Sequence, residues 1–267
     1  MEKFKQIQKK FQLNGAQMKY IAFISMFIDH FNKAIITPKL NYQQPLVTIS
    51  MIFDILGRIA FPIFAFMIVE GFYKTKSRFK YLRNLLIFAV ISEIPYDMFQ
   101  SKVFINNRSQ NIMWALALGL LTLIIVDKLK EKIKNKYIWI FLSIIIVAIS
   151  AISATLLSFD YDYYSIIIIF ILYLFYDKRL VGSLLAYLVI IKEIYSILGF
   201  ATINFYNGEK GKQNKWFNYL FYPVHLLILG ICRFLFGLYI PLIAIYKQLY
   251  ICLLLGIIQL IGGAQYG

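Results

Sequence analysis

The sequence predicts an all-α protein, a polytopic membrane helix bundle of about nine transmembrane segments, with eight to ten as the range. Three observations carry that prediction. Hydrophobic residues make up 60% of the 267 and charged residues 15%, with a mean hydropathy of +0.69. Apolar runs of span length recur along almost the whole chain, and lysine and arginine collect between them. A soluble domain of this composition lacks the polar surface to cover its core. In lipid the backbone must satisfy itself, so the runs are read as helices.

The elements follow in order. Residues 1–18 are polar and basic, with Phe4, Ile7 and Phe11 at helical spacing, which predicts a helix lying on the membrane surface and not a cleaved signal. Residues 19–267 are read as one transmembrane domain. Its apolar segments run over 20–36, 46–73, 82–99, 112–127, 137–157, 163–176, 180–203, 217–236 and 242–262. Basic stretches separate them on one side: Lys19, then Lys74 to Arg83, then Lys128 to Lys136, then Lys178 and Arg179. The opposite loops are poorer in cations, and one of them carries Asp160 and Asp162. By the positive-inside rule the amino terminus is cytoplasmic, in a multi-pass cell-membrane protein. One stretch resists the scheme. Lys210, Lys212 and Lys215 fall outside if segment seven spans simply, and Lys192 and Glu193 within that segment predict a broken or re-entrant path.

The formal charge of +15 would point to nucleic acid in a soluble protein; here anionic lipid and loop orientation account for it, and no nucleic acid is expected. Cys232 and Cys252 lie in apolar runs and read as reduced packing residues. With only His30 and His225 in the chain, a histidine-rich metal site is not expected.

Ionisable residues inside spans are costly unless they face water or protein, which makes them the first place to look for chemistry. They are Asp29 and His30, then Asp54, Arg58 and Glu70, then Glu93 and Asp97, Lys192 and Glu193, and His225. Counting a helical rise of about 1.5 Å per residue from the segment ends puts His30, Asp54, Glu93 and His225 close to one plane, with His225 counted down from the outer face. Plainer readings stand beside this. Asp54 and Arg58, one turn apart, form a self-neutralising pair as readily as a site, and Asp29 with Lys33 repeats the spacing. His30 points about 100° around the helix from Asp29, which argues against both entering one narrow pocket. His225, beside Pro223, has a kink-stabilising alternative.

Lys19-Tyr20 through Asp29-His30, Gly57-Arg58-Ile59-Ala60-Phe61-Pro62-Ile63-Phe64-Ala65-Phe66 with Glu70-Gly71, and Ser92-Glu93-Ile94-Pro95-Tyr96 resemble the TraX family. The match continues through Asp160-Tyr161-Asp162-Tyr163, Asn207-Gly208-Glu209-Lys210-Gly211-Lys212 and Phe221-Tyr222-Pro223-Val224-His225. The resemblance implies a multi-spanning acyltransferase of the kind named for members that acetylate the terminal amine of conjugative pilin. The spacing from Lys19 to His30 is also similar to that of larger membrane acetyltransferases that modify surface glycans, in which the first-span histidine is regarded as catalytic. The composition, rich in Ile, Lys, Asn and Tyr, is typical of bacteria with AT-rich genomes.

On that reading His30 is the base or the acylated nucleophile, with Asp54 or Glu93 orienting its ring, Asp29 doing so only if the helix is distorted, and a second carboxylate nearby anchoring an amine acceptor. Acetyl-CoA is the expected donor, with no metal, its phosphates held by Arg58, Arg78, Lys80 and Arg83. Arg58 is also placed to stabilise an oxyanion. Asp160, Tyr161, Asp162 and His225 are the expected contacts to the acceptor, a surface protein or glycan. The rival classes are a secondary transporter, which predicts paired broken helices in two related halves, and a non-catalytic membrane assembly protein. The charged motifs cluster in the first half, against the transporter.

Overall fold

The computed structural model describes residues 11–40 and 44–235, and these form an all-α bundle with no strand among the described residues. Of the surface helix expected over residues 1–18, residues 1–10 lie outside the described residues and Gly15 onward is instead the first turn of the first bundle helix; the segment 242–262, with Cys252, also lies outside them. Each of the other expected apolar segments is helical.

Helix α1, Gly15–Phe31, opens with a capping box in which Asn14 accepts from the Gln17 N–H and Gln17 reaches back to the Asn14 N–H. It loosens at its far end into a π-helical turn, Asn32–Ile36. Helices α2, Leu46–Gly57, and α3, Ala60–Lys74, form one 29-residue apolar stretch bent at Arg58 and Ile59. Then follow α4, Arg78–Ser101, α5, Ile112–Lys132, α6, Lys136–Leu156, and α7, Asp162–Leu174. Among the described residues, four helical stretches are long and apolar enough to cross a membrane: Leu46–Lys74, α5, α6, and Lys215–Leu235, which is α10.

Helix α3 is the centre. It is buried on nearly every side, and Phe61, Phe66 and Phe72 pack with Leu120 and Leu123 of α5 and Ile168 and Ile169 of α7. Gly119 lets α5 and α7 close up, since a Cβ there would stand 2.5 Å from Ile169 Cδ1. The outer ring is apolar on its exposed faces: Phe141, Ile144, Ile149 and Ile152 of α6 point away from the bundle, as lipid-facing residues do.

Segment seven is broken, as the charges within it predict. Helix α8, Arg179–Val189, stops before Lys192, and α9, Ile197–Ile203, returns along it. Arg179 donates to the Tyr206 carbonyl and lies over its ring, so the start of α8 and the chain after α9 share one end of the bundle. At about 16 and 10 Å, neither helix reaches across a hydrocarbon core of roughly 30 Å. The hairpin is therefore re-entrant.

This corrects the expected direction of everything downstream. The loop after α9 docks on the start of α1: Leu13 N donates to Phe205 O at 2.8 Å, Asn207 N to Leu13 O at 2.9 Å, and Gly15 N to Glu209 O at 2.7 Å. Lys210, Lys212 and Lys215 thus lie at the Lys19 end, with the other basic stretches, and α10 starts there. It runs parallel to α1, pairing Phe217 with Tyr20, Phe221 with Phe23 and His225 with Phe27. Counting His225 from the opposite face assumed a simple span before it.

Candidate active site

Where α1 loosens, its side chains meet the bends of three other elements around a cavity of about 340 Å³. Its polar lining comprises Asp29, His30 and Lys33 from α1 and its π turn, and Arg58 from the α2–α3 bend. Asp160 and Tyr161 come from the α6–α7 loop and Asp162 from the first turn of α7, and Lys192 and Glu193 from the break after α8. Breaks in helices free backbone and carry charged side chains to mid-membrane depth, which is tolerable only where protein or water receives them.

His30 and His225 are joined directly, Nδ1 to Nε2 at 2.8 Å, with rings 5.1 Å apart and nearly parallel. Beyond them, His225 Nδ1 lies 2.6 Å from the Phe221 carbonyl, which can only accept. His225 Nδ1 therefore carries the hydrogen. In the neutral pair its Nε2 is then an acceptor, His30 Nδ1 the donor, and the free lone pair falls on His30 Nε2. That nitrogen makes no hydrogen bond among the described residues, on a side chain 15% exposed that lines the cavity. The nearest carboxylate is Asp29 Oδ2 at 3.9 Å.

Asp29 is held in turn. Lys33 Nζ lies 2.6 Å from Oδ2, the pair expected from the i, i+4 spacing, while Oδ1 is buried without a partner. Gly57 makes room for it, since a Cβ at Gly57 would fall 2.6 Å from Asp29 Cβ and 2.7 Å from Oδ1. The Ser25 hydroxyl fastens α1 to the same place, donating to the Leu56 carbonyl at 2.6 Å. Asp29 and His30 do line one cavity, despite their separation around the helix, because the pocket wraps the loosened end of α1 instead of facing one side of it.

The α6–α7 loop is strained where it enters. Ser158, Tyr161 and Asp162 have φ of 55°, 61° and 48°, the left-handed region that non-glycine residues avoid. Gln110 pins it, donating from N to Ser158 O and accepting from Asp160 N. The Tyr161 ring stacks on Phe61 with centroids 3.8 Å apart. Burial raises the Asp160 carboxyl above the ordinary range, against the pull of Lys33 and of the Tyr161 N–H. Burial first, and then Asp160, also raises the Tyr161 phenol, so it stays a hydrogen-bond donor.

Several expected partnerships are not formed. Asp54 does not reach His30; it accepts from Asn32 Nδ2 at 2.9 Å. Glu93 is taken by Asn111 and by Trp114 Nε1 between α4 and α5. Neither orients the imidazole, because each faces a different helix interface; His225, expected as an acceptor contact, is the ring's actual neighbour. Arg58 pairs with Glu193 at 3.2 Å and not with Asp54, since it sits past the end of α2, where its side chain turns to the α8 break. Arg78 is separate from it, bonded to Asp127 at 2.6 Å and stacked on Phe72, and Lys80 and Arg83 follow on α4 outside the cavity. The four expected phosphate contacts are thus split between two places. Lys33 and Tyr222 line the cavity without having been assigned a role there. The contact between the two histidines was legible in one signal, the near-equal spacings from Lys19 to His30 and from Lys215 to His225, once α1 and α10 are known to be parallel.

A second cavity, of about 310 Å³, opens at the Lys19 end, and Met26, Phe64, Ile112 and Tyr222 line both.

Comparison with known proteins gives two findings. The chain is similar to the probable fimbrial assembly protein FimC, serogroup H1, of Dichelobacter nodosus, at 29% identity over 128 residues, which is 45% of this chain and 49% of that protein. The match thus spans about half of that relative's length. No solved structure matches the chain. A family model described as TraX protein matches residues 14–233, a range that takes in both histidines, Arg58 and the strained loop, and the chain belongs to the TraX family.

Proposed function

We propose that this chain is an integral membrane acyltransferase that moves an acetyl group from cytosolic acetyl-CoA to an amine or hydroxyl of a surface protein or glycan, with its amino terminus on the cytoplasmic side. The observation that carries the reading is the unpartnered Nε2 of His30 on the cavity wall, with its lone pair fixed in tautomer by His225. That is the equipment of a general base.

In the reaction, His30 Nε2 takes the proton of the acceptor as its nitrogen or oxygen attacks the thioester carbonyl carbon. The proton at Nδ1 can shift towards His225, which spreads the imidazolium charge over two rings and the Phe221 carbonyl. Asp29 stabilises that cation from 3.9 Å. Arg58 faces the oxyanion of the tetrahedral intermediate. The intermediate collapses by breaking the carbon–sulfur bond; the thiolate leaves and takes the proton back from the histidine pair. The unpartnered carboxylate oxygens of Asp29 and Asp162 have acceptor capacity to spare and favour an amine acceptor, whose N–H groups they hold; an amine that arrives as ammonium releases one proton to water before it attacks. The name of the fimbrial relative supports a surface-fibre subunit as that acceptor.

Two cavities that open in one conformation and share a thin partition suit the passage of an acyl group better than alternating access, which closes one side as the other opens. The test is labelled acetyl-CoA with the protein in nanodiscs, plus an extract of surface protein and glycan. Label on an acceptor or released acetate is expected from the native protein and is lost by about 10²-fold or more in His30→Ala. Full transfer by a folded His30→Ala protein would sink the assignment.

A further inference from the structure

The second cavity holds none of the residues that move the proton at His30, and its make-up is uneven. Its walls are apolar, with Phe23, Met67, Leu85, Met113 and Leu116 among them, whereas its mouth carries Lys19, Lys210 and Lys215. None of these lysines forms an ion pair among the described residues. Glu70, the carboxylate buried nearby in α3, already accepts from Tyr176 and Tyr206. The chain after the re-entrant hairpin brings the three cations to one mouth, and Gln213 ties the Lys19 side chain to the Lys210 backbone. Its Oε1 accepts from Lys19 Nζ at 2.9 Å and from Asn218, and its Nε2 donates to Lys210 O at 2.7 Å. Three cations, none held in an ion pair among the described residues, over an apolar shaft form a receptor for a ligand with anionic groups at one end and a neutral arm at the other.

The foot of that shaft is the partition of Met26, Phe64, Ile112 and Tyr222, whose other side is the His30 cavity. Along α1, Lys19 and His30 are about 16 Å apart. We propose that this second cavity binds the phosphorylated pantetheine arm of a thioester donor, with its phosphates on Lys19, Lys210 and Lys215 and its sulfur end at the partition. This rests on the acyltransferase reading, and it moves the donor's anion contacts away from Arg58, Arg78, Lys80 and Arg83. The arm belongs either to free coenzyme A or to a phosphopantetheinylated carrier protein.

The experiment is equilibrium binding to the full chain in nanodiscs, with coenzyme A, pantetheine and a holo carrier protein as three separate probes. Coenzyme A is expected to bind and to weaken with salt. Lys19→Gln, Lys210→Gln and Lys215→Gln combined should lower its affinity by about tenfold or more. The same substitutions should leave pantetheine, which lacks phosphate, unchanged. Met113→Trp, which fills the shaft, weakens both, and His30→Ala weakens neither. Competition by the carrier protein at lower concentration than coenzyme A would assign the arm to a protein-borne donor. The proposal is overturned if the triple-lysine variant, folded by gel filtration, binds coenzyme A as the native protein does, or if Arg78→Gln, Lys80→Gln and Arg83→Gln abolish binding instead. Binding through these lysines with no acyl transfer would sink the chemistry at His30 and leave this site standing. Transfer with lysine-independent binding would do the reverse.

Discussion

A histidine in a lipid-soluble helix is chemically ambiguous until its partners are known, and here the partner of His30 is another histidine with a carbonyl behind it. The direction of that chain fixes which nitrogen is free. On the acyltransferase reading proposed above, His225 is a positioning residue, which gives a specific expectation. His225→Ala should slow acyl transfer by about 10–100-fold, and the double variant with His30→Ala should be no slower than His30→Ala alone, because the two act as a unit. Rates that multiply instead would show two independent roles. Asp160 offers a second check at this scale. Burial raises its folded-state pKa, so the native protein still holds a proton at a pH where the unfolded chain has lost it. Its ionisation therefore costs stability as pH rises from the ordinary aspartate value, about 3.9, through the folded one. Asp160→Asn is expected to raise the thermal midpoint at neutral pH, with the advantage shrinking as pH is lowered towards 4. A difference independent of pH would contradict the burial argument.

Three of the helical stretches that build the site are interrupted beside it: α1 by its π turn, α2 and α3 by their bend, α8 and α9 by the break at Lys192 and Glu193, while α10 runs through unbroken. An unbroken helix would hide its backbone and carry apolar residues past this depth. The interruptions depend on close approach. Gly57 lies against Asp29, and at Gly199 a Cβ would stand 2.6 Å from the Ile59 carbonyl at the bend. Gly57→Ala should therefore destabilise the fold by about 1–3 kcal/mol and lower activity more than a surface change does, since it displaces Asp29. Thermal unfolding and labelled acetyl transfer, measured together, test this; an alanine that leaves both untouched would mean that α1 and α2 are not packed as described. The helical segments themselves were legible in the sequence, because apolar length and flanking charge set them. The length of α8 and the return of α9 were only hinted at, by Lys192 and Glu193, since hydropathy does not say whether a run crosses or doubles back.

For the whole molecule, the re-entrant hairpin settles which loops share a side. Lys210, Lys212 and Lys215 join Lys19 and the basic loops around Lys130, and the molecule becomes consistent with a single cationic face. With Cys232 and Cys252 replaced, a single cysteine at Lys212 should react with a membrane-impermeant maleimide from the same side as one at Lys130. One at Asn107 should react from the opposite side. Labelling of Lys212→Cys together with Asn107→Cys would make segment seven a true span and reverse α10. The same arrangement puts one cavity at each end of α1, with four side chains between them.

By itself, the sequence determined that this is a helical membrane protein, where cations collect between its apolar runs, and which ionisable residues stand in apolar surroundings. Composition and periodicity fix those, because transfer into lipid is a local cost borne residue by residue. Tertiary structure alone decided that His30 meets His225 while Asp54 and Glu93 turn elsewhere, and that Arg58 pairs with Glu193. Those outcomes depend on the direction and bending of helices far apart in the chain, which are set by how the whole bundle packs and leave no mark on any one segment's hydropathy.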